Sequence, residues 1–148
     1  MTAVAARPGG PPDVGAVVGP LPMFLSLQRL IMVSGANLDY AMPHVDNEAA
    51  RAGGADSAYA DIMFVFTMID RLLLEWAGPS AVIRRIGPVK MHDFVLCGFD
   101  LSVEGTVTAV SPARLADGRD GLDVEVDVRF VQRDRRPVTG QARVWLPA

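Results

Sequence analysis

The apolar residues of this 148-residue chain fall into two patterns, one helical and one extended. From Asp61 to Trp76 nearly every position is apolar, apart from one narrow strip of charged side chains. This composition predicts a helix that is buried almost all round. Gly78 and Pro79, which follow it, are residues that end helices.

After Ser80 the pattern becomes one that is typical of β-strands. β-Branched residues are frequent, and apolar and polar positions alternate, most clearly in the letters VEVDVRFV. One buried helix followed by antiparallel strands predicts an α+β domain in which a sheet wraps around the helix. The predicted strands, separated by Gly and Pro turns, are Ala81 to Ile86, Leu96 to Val110, Leu122 to Val131 and Val138 to Leu146.

The N-terminal part of the chain is less regular. Residues 1–21 are rich in Gly, Pro, Ala and Val without a period, so we expect a flexible N-terminal arm. Ordered structure should begin near Pro22, and the chain length fits one domain over residues 22–148. The segment from Phe24 to Val33 permits a short helix packed on one side, which should stop at Ser34 and Gly35.

Composition and charge argue against several classes of function. A net charge of -3, a pI near 5.3 and the absence of a Lys or Arg run exclude a nucleic-acid partner. The apolar stretch from Ile62 to Ile69 is far shorter than the ~20 residues of a membrane span. We therefore expect no membrane partner, and we assign the high mean hydropathy of +0.25 to a protein interface.

The chain has one cysteine, Cys97, in an apolar run that favours a buried position. It cannot form an internal disulfide, which suits a reducing compartment. The first twenty residues lack the basic start and apolar core of a signal peptide. A cytoplasmic protein is the expectation.

Candidate chemistry is concentrated in the polar, turn-like segment before the long helix. His44 follows Asp39 by five residues, and Pro43 biases Met42 away from helical angles, so both side chains can converge across a bend. A carboxylate and an imidazole held together can fix a water and move protons near neutral pH, as the addition of water to a double bond requires. A loop histidine bonded to Asp39 or Asp46 is the alternative. Asp46 could also cap a brief helix.

This segment resembles the hydratase motif of the MaoC-like (R)-specific enoyl-CoA hydratases, in which a Ser-Gly pair leads into an Asp, four intervening residues and a His. Here these are Ser34-Gly35, Asp39 and His44. The resemblance covers nearly all of the chain after Phe24. The segment from Trp76 to Ser80 is similar to the small MaoC-like subunit of actinobacterial steroid side-chain enoyl-CoA hydratases.

The resemblance implies a hot-dog fold, with a long central helix wrapped by an antiparallel sheet. It implies that Asp39 and His44 are catalytic and that the backbone amide of Ile62, at the start of that helix, contacts the thioester oxygen. A helix N-terminus offers unpaired N–H donors and partial positive charge to an enolate. The residues predicted to contact substrate are Ser34, Gly35, Asp61, Met63 and Phe66, although core packing is the commoner role for Met63 and Phe66.

The chain departs from the family motif at two places. Ala41 and Met42 stand where the family usually has Asn-Pro, and Asp61-Ile62 stands where many relatives have His-Gly. Asp61 could cap the helix, yet its charge would oppose an enolate. His92 is interpreted as a strand-end or surface residue. The basic residues in and just after the first predicted strand could meet CoA phosphates but are more typical of a solvated face; they are Arg84, Arg85 and Lys90.

The function expected from the resemblance is reversible addition of water to a trans-2-enoyl-CoA, with a bulky steroid side-chain acyl group as one candidate substrate. No metal or redox cofactor is expected, because the thioester itself activates the double bond. The expected partners are the acyl-CoA and a second hot-dog subunit, in a homodimer or a heteromer with another MaoC-like chain. The alternatives are a hot-dog thioesterase, a non-catalytic subunit that completes a partner's site, and a polyketide-tailoring dehydratase.

Overall fold

The computed structural model of the chain describes residues 10–147. It contains five strands and four helices in this range. In chain order these are β1 (Val17–Leu25), α1 (Leu27–Asn37), α2 (Met42–Val45), α3 (Asn47–Ala52), α4 (Ile62–Ala77), β2 (Val82–Met91), β3 (Phe99–Arg114), β4 (Asp120–Val131) and β5 (Val138–Pro147).

The strands form one antiparallel sheet in the order β1-β3-β4-β5-β2. Helix α4 lies on one face of this sheet and contacts β1, β2, β3 and β5. Its side chains Ile69 and Leu72 are fully buried there, in one core with Val103, Val126 and Val144 of the sheet. The α+β arrangement of one long helix against an antiparallel sheet is confirmed.

Helix α4 is not buried on every side, so that expectation was wrong. The side chains of Ile62, Met63 and Leu74 are 42%, 47% and 38% exposed, respectively. The sheet covers only one face of the helix, and the opposite face of this chain carries both charged and apolar side chains. Exposed apolar side chains of this kind are typical of interaction surfaces.

Ordered structure begins before Pro22, so the boundary expected at residue 21 was wrong. Strand β1 starts at Val17, and Val18, Leu21 and Leu25 point into the core with no exposed surface. The prolines of this segment suggested an irregular arm. However, β1 is an edge strand, where a proline can be accommodated without loss of a hydrogen bond between strands. The expectation of a flexible segment over residues 1–9 lies outside the described residues.

Helix α1 continues through Ser34 and Gly35, where the sequence pattern had suggested that it stops. It begins after Ser26, whose side chain accepts a hydrogen bond of 3.2 Å from the Arg29 N–H. It ends at Asn37 and is followed by Leu38, which adopts the left-handed conformation with φ 57°. The turn that ends the helix, rather than the glycine, therefore sets its length.

The remaining elements agree with the sequence pattern apart from their ends. Asp46 caps α3, its carboxylate accepting from the Ala49 N–H at 2.8 Å. Strand β2 continues beyond Ile86 through Pro88, with a shift of register that an edge strand tolerates. Cys97 is buried, as expected. Among residues 10–147, no helix has both the length and the apolar character needed to cross a membrane.

Candidate active site

The end of α1 positions Asp39. The Leu38 N–H donates to the carbonyl of Gly35 at 3.4 Å, and the Asp39 N–H donates to the carbonyl of Ser34 at 2.9 Å. This pair of bonds around a left-handed residue is the Schellman motif. Ser34 and Gly35 thus act through their backbone carbonyls, which hold the turn from which the Asp39 side chain projects.

A second short turn brings His44 back towards Asp39. The Asp39 Oδ1 accepts a hydrogen bond of 3.2 Å from the Ala41 N–H, which closes a local turn. Ala41 then starts α2, with Pro43 in its first turn and His44 in its last. The bend predicted between Asp39 and His44 therefore forms without the Asn-Pro pair that the family usually has.

A backbone carbonyl orients the ring of His44. The Nδ1 atom of His44 lies 2.8 Å from the carbonyl oxygen of Tyr59, and the Tyr59 N–H donates to the Pro43 carbonyl at 3.3 Å. Because a carbonyl oxygen can only accept, Nδ1 carries the proton. In the neutral ring the lone pair is consequently on Nε2. The Tyr59 ring packs edge-on against the imidazole, with 5.0 Å between ring centroids.

The free nitrogen of His44 faces Asp39. Its Nε2 atom is 4.0 Å from the Asp39 Oδ2 atom, and the two side chains are 16% and 39% exposed, respectively. This distance is too long for a direct hydrogen bond. It leaves room for a water that donates one hydrogen bond to each group. The structure thus brings the two residues together as the sequence predicted.

The first turn of α4 lies in the same site. The Asp61 Oδ1 accepts from the Phe64 N–H at 2.6 Å, and the Asp61 carbonyl accepts from the Val65 N–H at 3.3 Å. The N–H groups of Ile62 and Met63 have no acceptor within residues 10–147, as is normal for the opening turn of a helix. The Ile62 amide is therefore a free donor with the positive end of the helix dipole behind it.

A cavity of 580 Å³ connects these groups. Asp39, His44, Asp61 and Ile62, all predicted from the sequence to be site residues, line it. Its volume falls in the range of about 300–1,000 Å³ that is usual for ligand sites. The remaining lining residues are Tyr59, Ala60, Met91, His92, Asp93 and Phe94.

Four residues predicted to contact substrate do not line this cavity. Ser34 is buried within α1, and Gly35 is exposed on the same helix. Met63 is 47% exposed on α4, and Phe66 is half-buried on that helix. Ser34 and Gly35 position Asp39 through their backbone carbonyls, and substrate contacts by all four residues stay a prediction.

Sequence reasoning missed the part of the lining that residues 91–94 form at the end of β2 and just beyond it. His92 is exposed, as expected, but it lines the cavity, and its Nε2 atom is 2.8 Å from the Thr139 hydroxyl. The Phe94 ring stacks on Tyr59 with 4.3 Å between centroids. The segment lies far from His44 along the chain and has no motif of its own, so no local signal marked it.

The charge of Asp93 in this part of the lining is firmly held. The Phe94 N–H donates to its Oδ1 at 2.8 Å, and Arg135 donates to its Oδ2 at 2.9 Å. The Phe94 N–H and then Arg135 hold the pKa of the Asp93 carboxyl below its usual value. Asp93 is therefore a paired anion. Within residues 10–147, no three His, Cys, Asp or Glu side chains lie close enough together to hold a metal ion.

Comparisons with known proteins show the family and the fold. No family model matches the chain. The beta subunit of the 3-oxo-4,17-pregnadiene-20-carboxyl-CoA hydratase of Mycobacterium tuberculosis is 30% identical over 103 residues, which are 66% of this chain and 75% of that protein. The chain therefore belongs to the MaoC-like (R)-specific enoyl-CoA hydratase family.

Solved structures share the fold. The ChsH1–ChsH2 complex from Mycobacterium tuberculosis matches with a TM-score of 0.80 and 25% identity, over 90% of this chain and 98% of that chain. An (R)-hydratase of A. caviae that is involved in PHA biosynthesis matches with a TM-score of 0.76 and 19% identity, over 91% of this chain and 97% of that one. The hot-dog fold is confirmed.

Proposed function

We propose that this chain hydrates a trans-2-enoyl-CoA to the (R)-3-hydroxyacyl-CoA, and catalyses the reverse reaction. One observation carries the proposal. The His44 Nε2 and Asp39 Oδ2 atoms face each other at 4.0 Å in a cavity that is also lined by Ile62, the first residue of α4. Two proton acceptors around one water, next to a free N–H donor, are what addition of water to an enoyl thioester requires.

In the proposed reaction the water oxygen forms a bond to the β-carbon while the water gives one proton to the Asp39–His44 pair. The electron pair of the double bond moves towards the thioester oxygen, which becomes an enolate. The Ile62 N–H donates to that oxygen, where the helix dipole favours negative charge. The pair then delivers a proton to the α-carbon on the same face, and H and OH have been added in total.

The carboxylate of Asp61 is compatible with this chemistry because it is already engaged. As the cap of α4 it accepts a hydrogen bond of 2.6 Å from the Phe64 N–H. This donor partly compensates the negative charge of the carboxylate. In the proposal no metal or redox cofactor takes part, since the thioester makes the β-carbon electrophilic and every proton transfer has a side chain to carry it.

The family relationship extends the proposal to substrate and assembly. The relative is named as the beta subunit of a hydratase for a steroid-derived acyl-CoA. We propose that this chain likewise accepts a bulky, ring-bearing acyl group and works with a second hot-dog subunit. The open cavity of 580 Å³ and the exposed Ile62 and Met63 beside it support this extension.

The test follows loss of the enoyl absorbance when the full chain, alone and with candidate hot-dog partners, is mixed with short, long and steroidal enoyl-CoAs. Asp39→Asn should lower kcat by about 10²–10⁴-fold, since it removes a proton acceptor while keeping the shape. Asp100→Asn is the matched control, because Asp100 is exposed and outside the cavity lining, and it should leave the rate unchanged.

Two outcomes would contradict the proposal. Release of free CoA from a saturated acyl-CoA, without hydration, would indicate a thioesterase that aims water at the carbonyl carbon. Unchanged turnover of a reconstituted assembly carrying Asp39→Asn would indicate that this chain only completes the site of its partner.

A further inference from the structure

A second cavity lies on the outer face of the sheet, opposite α4. Its volume is 480 Å³, and its walls come from β2, β4, β5 and the connection between β4 and β5. The strand register explains the composition of the walls. Lys90 pairs with Thr139, which pairs with Arg129, so these three side chains share one face. The next pair along the strands, Met91 and Val138, points to the other face, where Val138 is fully buried.

Unpaired positive charge distinguishes this outer cavity. Lys90 and Arg136 line it, and neither has an ion-pair partner among residues 10–147. Arg129 is bound to Glu104 at 2.7 Å, whereas the carboxylate of Asp127 accepts from the neutral Gln141 amide at 3.2 Å and keeps its negative charge. The cavity therefore has two cations without an ion-pair partner and one carboxylate, a net positive lining in a chain whose net charge is -3. A dianionic or phosphorylated ligand is the complement of such a site.

Consecutive residues at the end of β2 line the outer cavity and the catalytic cavity. Lys90 lines the former, and the next two residues, Met91 and His92, line the latter. The Nε2 atom of His92 is 2.8 Å from the hydroxyl of Thr139, which itself lines the outer cavity. Lys90 and Met91 belong to an edge strand of the sheet. A long flexible ligand that followed the end of this strand past His92 would reach both cavities.

We infer that the outer cavity binds the phosphate groups at the nucleotide end of the CoA substrate. The inference rests on the proposed function, since it takes the acyl thioester to lie beside Asp39 and His44. The pantetheine arm then runs over the end of β2, and Lys90 and Arg136 receive the phosphates. A lysine supplies a point charge and an arginine a planar donor pair, both of which suit phosphate oxygens.

Binding of adenosine 3′,5′-bisphosphate to the full chain, measured by calorimetry, tests the site without any turnover. The expected result is saturable binding that Lys90→Ala/Arg136→Ala weakens by about tenfold or more, because two charge-assisted contacts are lost. The matched control is Arg84→Ala/Arg114→Ala, which removes the same charge outside the cavity lining. It should change the dissociation constant by less than about twofold.

Kinetics on enoyl substrates provide the second measurement. The Lys90→Ala/Arg136→Ala variant should raise KM for the enoyl-CoA by about tenfold and leave kcat unchanged, since the contacts are made equally before and during the reaction. An enoyl-pantetheine substrate, which lacks the nucleotide, should react equally well with both proteins. If the hydratase activity were absent but the bisphosphate bound as expected, the proposed function would fail and the nucleotide site would stand.

Three results would overturn the inference. The first is no binding of the bisphosphate to the unaltered chain. The second is equal weakening in the control variant, which would indicate only general electrostatic attraction. The third is tight binding of 4′-phosphopantetheine without binding of the bisphosphate. That result would indicate that Lys90 and Arg136 bind the phosphopantetheine group of a carrier protein instead of the nucleotide of CoA.

Discussion

The core around α4 and the catalytic segment before it are built in different ways. In the core, apolar side chains such as Leu72 and Val126 are buried against one another over the whole length of the helix. In the catalytic segment, the side chains of Asp39 and His44 each make one hydrogen bond to a backbone group. The core therefore depends on buried area, and the site depends on a few polar contacts. A substitution in one region should leave the other largely intact.

The largest expected effect is on activity. His44→Ala should lower kcat by about 10²–10⁴-fold, since it removes one of the two groups around the water. The free energy of unfolding should fall by only about 1 kcal/mol, the net value of the lost bond to the Tyr59 carbonyl. Steady-state kinetics and chemical denaturation measure the two quantities.

If the two residues act as a unit, adding Asp39→Asn to His44→Ala should lower kcat little further. Losses that multiply in full would instead show that Asp39 and His44 act independently. Such a result would separate the two members of the pair that the structure brings together.

The converse change is Leu72→Ala, in the middle of α4. Leu72 has no exposed surface, so the cavity left behind should lower the free energy of unfolding by about 2–5 kcal/mol. At temperatures where the variant is folded, its KM and kcat should match those of the unaltered chain. The control is Leu74→Ala, since Leu74 is 38% exposed on the same helix and should cost about 0.5 kcal/mol or less.

A smaller effect is expected where the two regions join, at the cap of α4. Asp61→Ala should lower the free energy of unfolding by about 1 kcal/mol, because the Phe64 N–H loses its acceptor. Asp61→Asn should retain most of that stability, because asparagine caps as well as aspartate does. A destabilisation by Asp61→Asn as large as that by Asp61→Ala would show that charge, and not the cap, is what matters.

The smallest effect is expected at Leu38, whose φ of 57° lies in the left-handed region. Leu38→Gly should raise the free energy of unfolding by up to about 1 kcal/mol, since glycine adopts this conformation without steric cost. The Schellman turn, and with it the rate of hydration, should be retained. A loss of activity in a more stable variant would show that the Leu38 side chain, which is 74% exposed, contacts substrate or a partner.

Sequence patterns predicted correctly the features that depend on interactions between neighbouring residues. The apolar run of α4, the cap residues Asp46 and Asp61, and the alternation in β4 all correspond to what was predicted. The prolines of β1 and β2 misled the prediction of strand ends, because proline is unfavourable in a central strand but harmless at an edge. Which strand lies at the edge is not a local property.

The sequence by itself determined the class of fold and the convergence of a carboxylate and an imidazole across a bend. These follow from side-chain periodicity, caps and turns, which act over a few residues. The amide at the start of the long helix was pointed out by the family resemblance. Only the tertiary structure decided that the Tyr59 carbonyl orients His44 and that residues 91–94 close the cavity. It also decided that one face of α4 stays uncovered in this chain. Those contacts join segments far apart in the chain, and their geometry depends on how the whole sheet packs against the helix.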